Sequence, residues 1–321
     1  MKALVTGVAG FIGSSLSERL VADGHQVVGV DCFSSYYSRQ VKERHLGSLI
    51  NEPGFRFVEA DLLTADLPAL LDGVDVVFHQ AAQPGVRLSW AEGFSEYVAA
   101  NVTATQRLLE AARTVPLQRF VYASSSSVYG NSTVYPTTEQ HATQPHSPYG
   151  VTKLAAEHLC TAYATNFAVP TVSLRYFTVY GPRQRPDMAL QRFVESALTS
   201  SPVSLFGDGK FVRDFTFISD VVAANVAAAT ADIPPGAVFN IAGGGSISIV
   251  GLLDEIASAA GQEVVIIRQP EQPGDVARTG GDISKAARYL GWEPSIDIRA
   301  GVKAQVDYQR AHPALAAPGR T

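Results

Sequence analysis

The stretch MKALVTGVAGFIGSS at residues 1–15 decides the fold. Residues 2–6 form an apolar run that predicts a short buried strand, and residues 11–22 show the apolar period of a helix. Between them lies the spacing G-x-x-G-x-x-G, which is formed by Gly7, Gly10 and Gly13. Glycines let a backbone turn tightly and approach a pyrophosphate, and a helix start supplies amide donors. A strand, a glycine turn and a helix in this order predict a dinucleotide-binding unit.

The alternation of strands and helices continues through the first 175 residues. Such alternation is typical of an α/β fold in which helices cover both faces of a parallel sheet. We therefore predict a doubly wound (Rossmann) parallel sheet followed by a smaller C-terminal α/β substrate domain. Further strands are predicted at residues 26–30, 55–60, 74–79, 119–124 and 170–176, and long helices at 94–114 and 148–166.

The rhythm breaks after Tyr176, and this sets the predicted domain limits. Residues 1–175 and 212–241 are assigned to the dinucleotide-binding domain, because a strand–helix unit near 212–240 rejoins the first part of the chain. Residues 176–211 and 242–312 are assigned to the substrate domain, and residues 313–321 to a frayed tail.

Composition narrows the functional class. With 46% hydrophobic and 17% charged residues, the 321-residue chain can build a sizeable core, and its net charge of -5 argues against nucleic acid as a partner. The two cysteines, Cys32 and Cys160, are too few and too far apart for a disulfide framework or a zinc site, so no metal is expected. We see neither a secretory leader nor a long apolar span, and expect a cytoplasmic protein with no membrane partner.

Acidic and small residues follow three of the predicted strands. Asp31 closes the second strand, 18 residues beyond Gly13. A carboxylate there accepts hydrogen bonds from the adenine ribose and repels a 2′-phosphate, which favours NAD over NADP. Asp61 closes the third strand, where an acid contacts the adenine amine or simply ends a turn. The Gln-Ala-Ala of residues 80–82 follows the fourth strand, and its alanines suit a close approach of the cofactor.

Tyr149 and Lys153 form the spacing Y-x-x-x-K, which places both on one face of the predicted helix 148–166. A nearby ammonium favours tyrosinate and lowers the pKa of a phenol, so Tyr149 can act as a general base near neutral pH. Lys153 can also bond the cofactor ribose. The pair follows the serine run of residues 124–127 by about 20 residues, and this combination favours an active site over a solvated helix face.

Three motifs in order, T-G-x-x-G-x-x-G, SSSSVYG and Y-x-x-x-K, resemble the extended short-chain dehydrogenase/reductase superfamily, and most closely its nucleotide-sugar 4-epimerases. The resemblance covers about residues 1–310 and implies a tightly held NAD. It implies that Tyr149 takes the proton of the sugar 4-hydroxyl, and that the helices near 94–114 and 148–166 build a homodimer. The cofactor-binding residues would be Gly7, Gly10, Phe11, Ile12, Gly13, Asp31, Asp61, Leu62, Gln80, Ala81, Ala82, Tyr149, Lys153 and Tyr176.

The serine run separates the possible reactions. Relatives that dehydrate a sugar carry Asp-Glu just before V-Y-G, and the UDP-glucuronate decarboxylases carry a Glu there, whereas this chain has Ser126 and Ser127. Hydroxyl groups do not replace carboxylates in acid–base chemistry at neutral pH. Ser125 matches the family's catalytic Ser/Thr, so Ser125, Tyr149 and Lys153 are the catalytic candidates. Epimerisation is the reaction that this pattern favours.

The sugar is inferred from a longer motif. The segment Arg175–Ala189 (RYFTVYGPRQRPDMA) is similar to the UDP-glucuronate 4-epimerases, and Thr178 stands where UDP-glucose epimerases usually have Asn. Arg183-Gln184 departs from the Trp-Gly that many of the former show, so a UDP-glucose 4-epimerase stays an alternative, and a decarboxylase a weaker one. The substrate-binding candidates are Arg87, Ser125, Ser126, Ser127, Thr178, Arg185, Arg192, Arg213 and Asp275.

Two of these candidates are expected at the nucleotide end of the substrate. Arg213 matches the family's UDP-phosphate arginine, and Asp275 matches an acid that contacts the nucleotide. Either Arg87, Arg185 or Arg192 could bind a uronate carboxylate, since an arginine makes a charge-assisted pair with a carboxylate. A non-catalytic dinucleotide sensor would need the glycines but neither Tyr149 nor Lys153.

Overall fold

A computed structural model describes residues 1–271, 274 and 276–313 of the chain. Its centre is a seven-stranded sheet in the order β10-β6-β5-β4-β1-β2-β3, and every neighbouring pair is parallel. The doubly wound parallel sheet is therefore confirmed. Its strands are β1 (Lys2–Thr6), β2 (Gln26–Asp31), β3 (Phe55–Glu59), β4 (Val76–His79), β5 (Arg119–Ser125), β6 (Thr171–Tyr176) and β10 (Ala237–Ile241).

The strand order reverses between β1 and β4, because the chain builds the sheet outward from β1 in two directions. In open sheets of this kind, a ligand crevice opens beyond the carboxyl ends of the strands at the point of reversal. The residues that follow β1, β2, β4 and β5 are therefore brought to one edge of the sheet.

Helices cover both faces of this sheet and bury two apolar cores. One core joins Leu16, Val5 and Val221, and the other joins Leu4, Leu108 and Cys160. The helices are α1 (Phe11–Ala22), α2 (Arg39–Leu46), α3 (Leu67–Leu71), α4 (Phe94–Tyr97), α5 (Ala104–Ala112), α6 (Pro148–Phe167) and α8 (Ile218–Thr230). None of the helices within the described ranges has the length and apolar character needed to cross a membrane.

The predicted helix over 94–114 is wrong in its middle. A π-helical turn at Val98–Thr103 separates α4 from α5, which ends at Ala112. The apolar period alone does not register such a turn, because a π turn adds a single residue to a pattern that is otherwise helical. By contrast, α1 has the predicted bounds, and α6 begins as predicted at Pro148, with the Ser147 hydroxyl accepting from Gly150 N at 3.1 Å.

The smaller part of the molecule holds two short sheets around a separate apolar core. A three-stranded sheet has the order β11-β9-β7 and a two-stranded sheet pairs β12 with β8. Tyr180, Phe193 and Val302 belong to the core between these sheets and their helices. The strands are β7 (Thr178–Tyr180), β8 (Val203–Phe206), β9 (Val212–Phe217), β11 (Ser246–Ser248) and β12 (Ile266–Gln269); the helices are α7 (Ala189–Thr199), α9 (Ile249–Ala260), α10 (Ser284–Leu290) and α11 (Ile298–Ala311).

The two strands of the predicted segment 212–241 belong to different sheets. β10 pairs with β6 in the large sheet, whereas β9 pairs with β7 and β11 in the three-stranded sheet. The division of the chain into two domains stays a prediction. The expected tail and the predicted substrate contact Asp275 lie outside the described residues, apart from Pro313.

Candidate active site

One cavity at the carboxyl edge of the large sheet gathers the residues that the motifs single out. All the cofactor candidates line it, from the glycine turn after β1 to Tyr149 and Lys153 on α6. These residues come from six different stretches of chain, and the parallel sheet brings them together because each stretch follows a strand or faces its end. Their contact with a cofactor stays a prediction.

The glycine turn is packed too closely for side chains. A Cβ atom at Gly13 would lie 2.2 Å from the Gly7 carbonyl oxygen, and one at Gly7 would lie 2.8 Å from the backbone of Ala81. Gly7 also has a φ of +68°, a conformation that favours glycine. The turn therefore leaves bare backbone amides at the start of α1 facing the cavity, which is the cradle that a pyrophosphate needs.

Asp31 closes the opposite wall of this cradle. Its carboxylate accepts from Ala9 N at 3.0 Å and from Phe33 N at 2.8 Å. Burial raises the pKa of Asp31, while these two bonds and the nearby Lys42 ammonium lower it. Asp31 and Asp61 are the acidic residues that line the cavity in the described part of the chain; Asp31 ends β2, and Asp61 follows β3.

The catalytic candidates meet where β5 ends above α6. Ser125, which is 8% exposed, hydrogen-bonds the Tyr149 hydroxyl. This bond and the Arg185 guanidinium lower the pKa of Tyr149, but burial outweighs both and leaves it above its ordinary value. Lys153 is buried, and desolvation lowers the pKa of its ammonium to about 7.

The expected effect of Lys153 on Tyr149 is not found. Lys153 Nζ lies 4.5 Å from the centre of the Tyr122 ring, and the groups that lower the pKa of Tyr149 are Ser125 and Arg185. The spacing i, i+4 puts Tyr149 and Lys153 on one helix face, but it does not determine which neighbour receives the ammonium. Lys153 instead sits where it lines the cavity and can donate to a bound ligand.

The four serines do different things. Ser124 donates to a carboxylate oxygen of Glu157 at 2.6 Å, and Glu157 forms a buried ion pair with Arg175, also at 2.6 Å. Ser125 ends β5, and its hydroxyl accepts from Ser127 N at 3.1 Å. Ser126 and Ser127 begin a short 3₁₀ turn at Ser126–Val128. Ser124 thus supports the fold and also lines the cavity, and Ser125 bonds Tyr149. Ser126 and Ser127 are absent from the lining of the cavity.

The arginine candidates do not share one place. Arg185 lines the cavity, where it forms two 2.9 Å hydrogen bonds with the Asp187 carboxylate. Arg87 lies over the Phe206 ring at 4.1 Å, and Arg213 donates to Val212 O at 3.0 Å. These two residues are absent from the lining of this cavity, as are Arg192 and Thr178.

Two polar residues hold the site in shape: Asn101, which sequence analysis missed, and His79, which closes the fourth predicted strand and could be read from the sequence as a structural histidine. Asn101, on the π turn, accepts from Gln83 N at 2.7 Å and donates to the Thr152 hydroxyl at 3.0 Å, so it ties the loop after β4 to α6. His79 contacts the Thr6 hydroxyl at 2.7 Å and the Thr105 hydroxyl at 2.9 Å. An asparagine inside a predicted helix was the one available signal, since asparagine disfavours helix interiors.

Comparison with known proteins agrees with this geometry. The model of the NAD dependent epimerase/dehydratase family matches residues 3–242. The chain belongs to this family. In the family member described here, the glycine cradle, Asp31 and the Tyr149 edge fit NAD, since backbone amides face a pyrophosphate and a carboxylate faces a ribose.

Relatives within the family carry several substrate names. An uncharacterized UDP-glucose epimerase of Bacillus subtilis (strain 168) is 44% identical over 309 residues, covering 96% of this chain and 98% of the relative. A probable UDP-glucuronate 4-epimerase of Rhizobium meliloti (strain 1021) is 35% identical over 341 residues, covering 97% and 99%. The crystal structure of UDP-glucuronic acid 4-epimerase from Bacillus cereus in complex with UDP-glucuronic acid and NAD is 42% identical, with a TM-score of 0.94, covering 97% and 99%.

Proposed function

We propose that this chain is an NAD-dependent 4-epimerase of UDP-hexuronic acids, which interconverts UDP-glucuronate and UDP-galacturonate. One observation carries the proposal: the Ser125 hydroxyl and the Arg185 guanidinium lie beside Tyr149, whereas the carboxylates that line the described cavity are Asp31 at the end of β2 and Asp61 after β3. The relatives named as UDP-glucuronate 4-epimerases support the same substrate.

Tyr149 and Ser125 carry the proton step. Tyr149 accepts the proton of the sugar 4-hydroxyl, and the Ser125 hydroxyl holds both the phenol and the reacting oxygen in place. When bound between the glycine turn and Asp31, NAD would supply the reversible hydride acceptor that oxidation and reduction at C4 require. Tyr149 then gives the proton back to the 4-keto oxygen, so that the enzyme ends each turnover unchanged.

Lys153 serves as a hydrogen-bond donor in the cofactor part of the cavity. Burial lowers the pKa of its ammonium to about 7, and its position on the cavity wall lets it donate to a ribose hydroxyl. The positive charge that lowers the pKa of Tyr149 comes from Arg185 instead.

The chain has serines where the decarboxylating relatives carry a Glu, and this difference favours epimerisation over loss of carbon dioxide from the sugar. A 4-keto uronate is a β-keto acid, which loses carbon dioxide readily when the carboxylate is free to turn. Arg185 lines the cavity and offers a guanidinium that is fixed by Asp187, and Ser126 and Ser127 bring hydroxyl groups, not carboxylates, to the turn that follows β5. This set holds a carboxylate without supplying a group that assists its loss.

Product analysis with a panel of UDP-sugars tests the proposal. The purified chain should interconvert UDP-glucuronate and UDP-galacturonate without added NAD. A UDP-pentose and carbon dioxide as main products would contradict epimerisation, and faster turnover of UDP-glucose would contradict the uronate. Ser127→Glu is a matched variant, because it introduces the carboxylate that the decarboxylating relatives carry just before V-Y-G, and it should increase the UDP-pentose fraction.

We further propose that the enzyme works as a cytoplasmic homodimer. Apolar side chains lie exposed on the two helices that the family resemblance assigns to the interface: Phe94 on α4 is 40% exposed, and Val151 and Phe167 on α6 are each 49% exposed. Light scattering on the purified chain should give twice the mass of 34.2 kDa. Val151→Asp should yield monomers, whereas Tyr289→Asp, which alters an exposed residue far along the chain on α10, should not.

A further inference from the structure

Lys42 is a buried ammonium for which the reaction has no use. It lies on α2, is 4% exposed, and lines the cavity at the end that holds Asp31. Its Nζ donates to the carbonyl oxygen of Ser34 at 2.7 Å and to the Ser34 hydroxyl at 3.1 Å. An ammonium has three protons, so one remains available to a ligand in the cavity.

Tyr37 brings a second donor to the same place. Its hydroxyl is buried and has no hydrogen-bond partner within the described residues, and its ring lies 4.8 Å from Lys42 Nζ. Burial raises the pKa of Tyr37, so the phenol keeps its proton and remains a donor. A buried polar group without a partner is costly, and a ligand that accepts from it removes that cost.

The charge of Lys42 is balanced by Asp31. Burial lowers the pKa of Lys42 and raises that of Asp31, and the attraction between the two charges opposes both shifts. The nearby Glu59 is already paired with Arg39 through two hydrogen bonds of 2.8 and 2.7 Å. Without the Asp31 charge, this end of the cavity would therefore present a buried cation and a phenol to whatever lies at the adenosine ribose.

We propose that Lys42 and Tyr37 form a latent 2′-phosphate subsite, which the charge of Asp31 alone keeps closed to NADP. A ribose diol fits the pair of opposite charges, because its hydroxyls can donate to the Asp31 carboxylate and accept from the Lys42 ammonium. A 2′-phosphate is repelled by Asp31, but it matches a cation and a hydroxyl donor once that repulsion is removed. The proposal rests on the cavity being the NAD site.

Binding of nucleotide fragments to the full chain tests this without any turnover. The probes are adenosine 2′,5′-bisphosphate and adenosine 5′-monophosphate, and their dissociation constants are measured by calorimetry. In Asp31→Ser, the bisphosphate should bind about 10- to 100-fold tighter than it does to the unaltered chain, the range expected for one charge-assisted contact. Adding Lys42→Met should remove most of that gain, and adding Tyr37→Phe a smaller part.

Two control variants test whether a gain in bisphosphate binding comes from the loss of the Asp31 charge. Asp61→Asn removes the other carboxylate of the cavity and should give no gain in bisphosphate binding. Asp31→Asn is made in parallel, because Asp31 also accepts from Phe33 N, and asparagine keeps one such acceptor. In the chain with Asp31 intact, Lys42→Met should weaken the residual bisphosphate binding about tenfold or more and change monophosphate binding less.

Three results would overturn the proposal. The first is a bisphosphate gain that survives Lys42→Met, and the second is the lack of any gain in both Asp31 variants. The third is that Lys42→Met, made in the chain that retains Asp31, leaves the dissociation constant of the bisphosphate unchanged. If the unaltered chain bound neither NAD nor the monophosphate, the assignment of the cavity to NAD would fail instead, and this outcome is distinct from the other three.

Discussion

Arg185 enters the cavity already bound to Asp187. Its Nε and Nη2 each donate to that carboxylate at 2.9 Å, and the Tyr36 hydroxyl donates to the same carboxylate at 3.1 Å. The guanidinium is thereby held in one direction, which is what recognition of a planar carboxylate requires. Because an arginine has five donors, this pairing leaves others for a substrate.

Arg185→Met should reduce kcat/KM for UDP-glucuronate about 10- to 100-fold, as expected for the loss of a charge-assisted hydrogen bond, and affect UDP-glucose less. Steady-state kinetics with both sugars measures the ratio. Arg192→Met is the matched control, because Arg192 does not line the cavity among the described residues. Equal losses for both sugars would show that Arg185 does not read the carboxylate.

Tyr149→Phe should lower kcat by about 10²- to 10⁴-fold, since it removes the hydroxyl that we propose moves the proton. NAD should stay bound, which nucleotide analysis of the denatured protein can show. Tyr97→Phe serves as control: its ring lies 6.2 Å from that of Tyr149, but its hydroxyl donates to Pro84 O at 2.7 Å, so only positioning is altered. Full activity in Tyr149→Phe would remove the proposed base.

Ser125→Ala should move the rising limb of the kcat profile to higher pH. The Ser125 hydrogen bond lowers the pKa of Tyr149, so its removal raises that pKa and reduces the tyrosinate fraction near neutral pH. The loss of rate should therefore shrink as the pH increases. Ser124→Ala is the control, because Ser124 bonds Glu157 instead. A loss of the same size at every pH would argue that Ser125 acts only on the substrate.

His79→Gln should flatten the dependence of stability on pH. The pKa of His79 is about 3 in the folded chain, against 6.5 ordinarily, because burial disfavours its charged form. Between these values the unfolded chain binds a proton that the folded chain does not, so the free energy of unfolding falls as the pH falls, by about 1.4 kcal/mol per unit. Lost hydrogen bonds should also cost about 1–3 kcal/mol at neutral pH.

Urea unfolding at pH 5 and pH 7 measures this slope in both proteins. His45, with a pKa of about 4, adds to the slope in the same direction, whereas Asp214, with a raised pKa of about 6, opposes it below that pH. The difference between the two proteins isolates His79, because these groups are common to both. An equal slope would mean that His79 is protonated in the folded chain.

Much of the site could be predicted because its residues follow the ends of predicted strands. The glycine turn, Asp31 and the Tyr149–Lys153 pair converge wherever a parallel sheet forms, so the pattern of strands suffices to place them. The arginines could not be ranked, because Arg185 reaches the cavity on a loop whose path depends on contacts with Tyr36 and Asp187. Nor could the Tyr122 ring beneath Lys153 be foreseen from a spacing within one helix.

The buried hydrogen bonds of His79 also escaped prediction, although they fix its chemical state. Thr105 donates to Asn101 O at 2.7 Å, so its oxygen accepts from His79 Nε2, and Thr6 donates to Nδ1. Ala81 N in turn donates to Thr6 at 3.1 Å. This chain of partners requires strands β1 and β4 and the π turn to be assembled, and no local pattern contains it.

The π turn at Val98–Thr103 also sets the angular phase between α4 and α5. One residue corresponds to about 100° of rotation in an α-helix, so deleting a single residue within this turn would swing α4 through roughly that angle about its own axis. Tyr97, which now contacts the Tyr149 ring edge-on, would be carried away from it, while Leu108 on α5 kept its place in the core. The extra residue of the π turn thus lets two consecutive helix segments face different parts of the protein: α4 contacts the ring of Tyr149, and α5 packs in the apolar core.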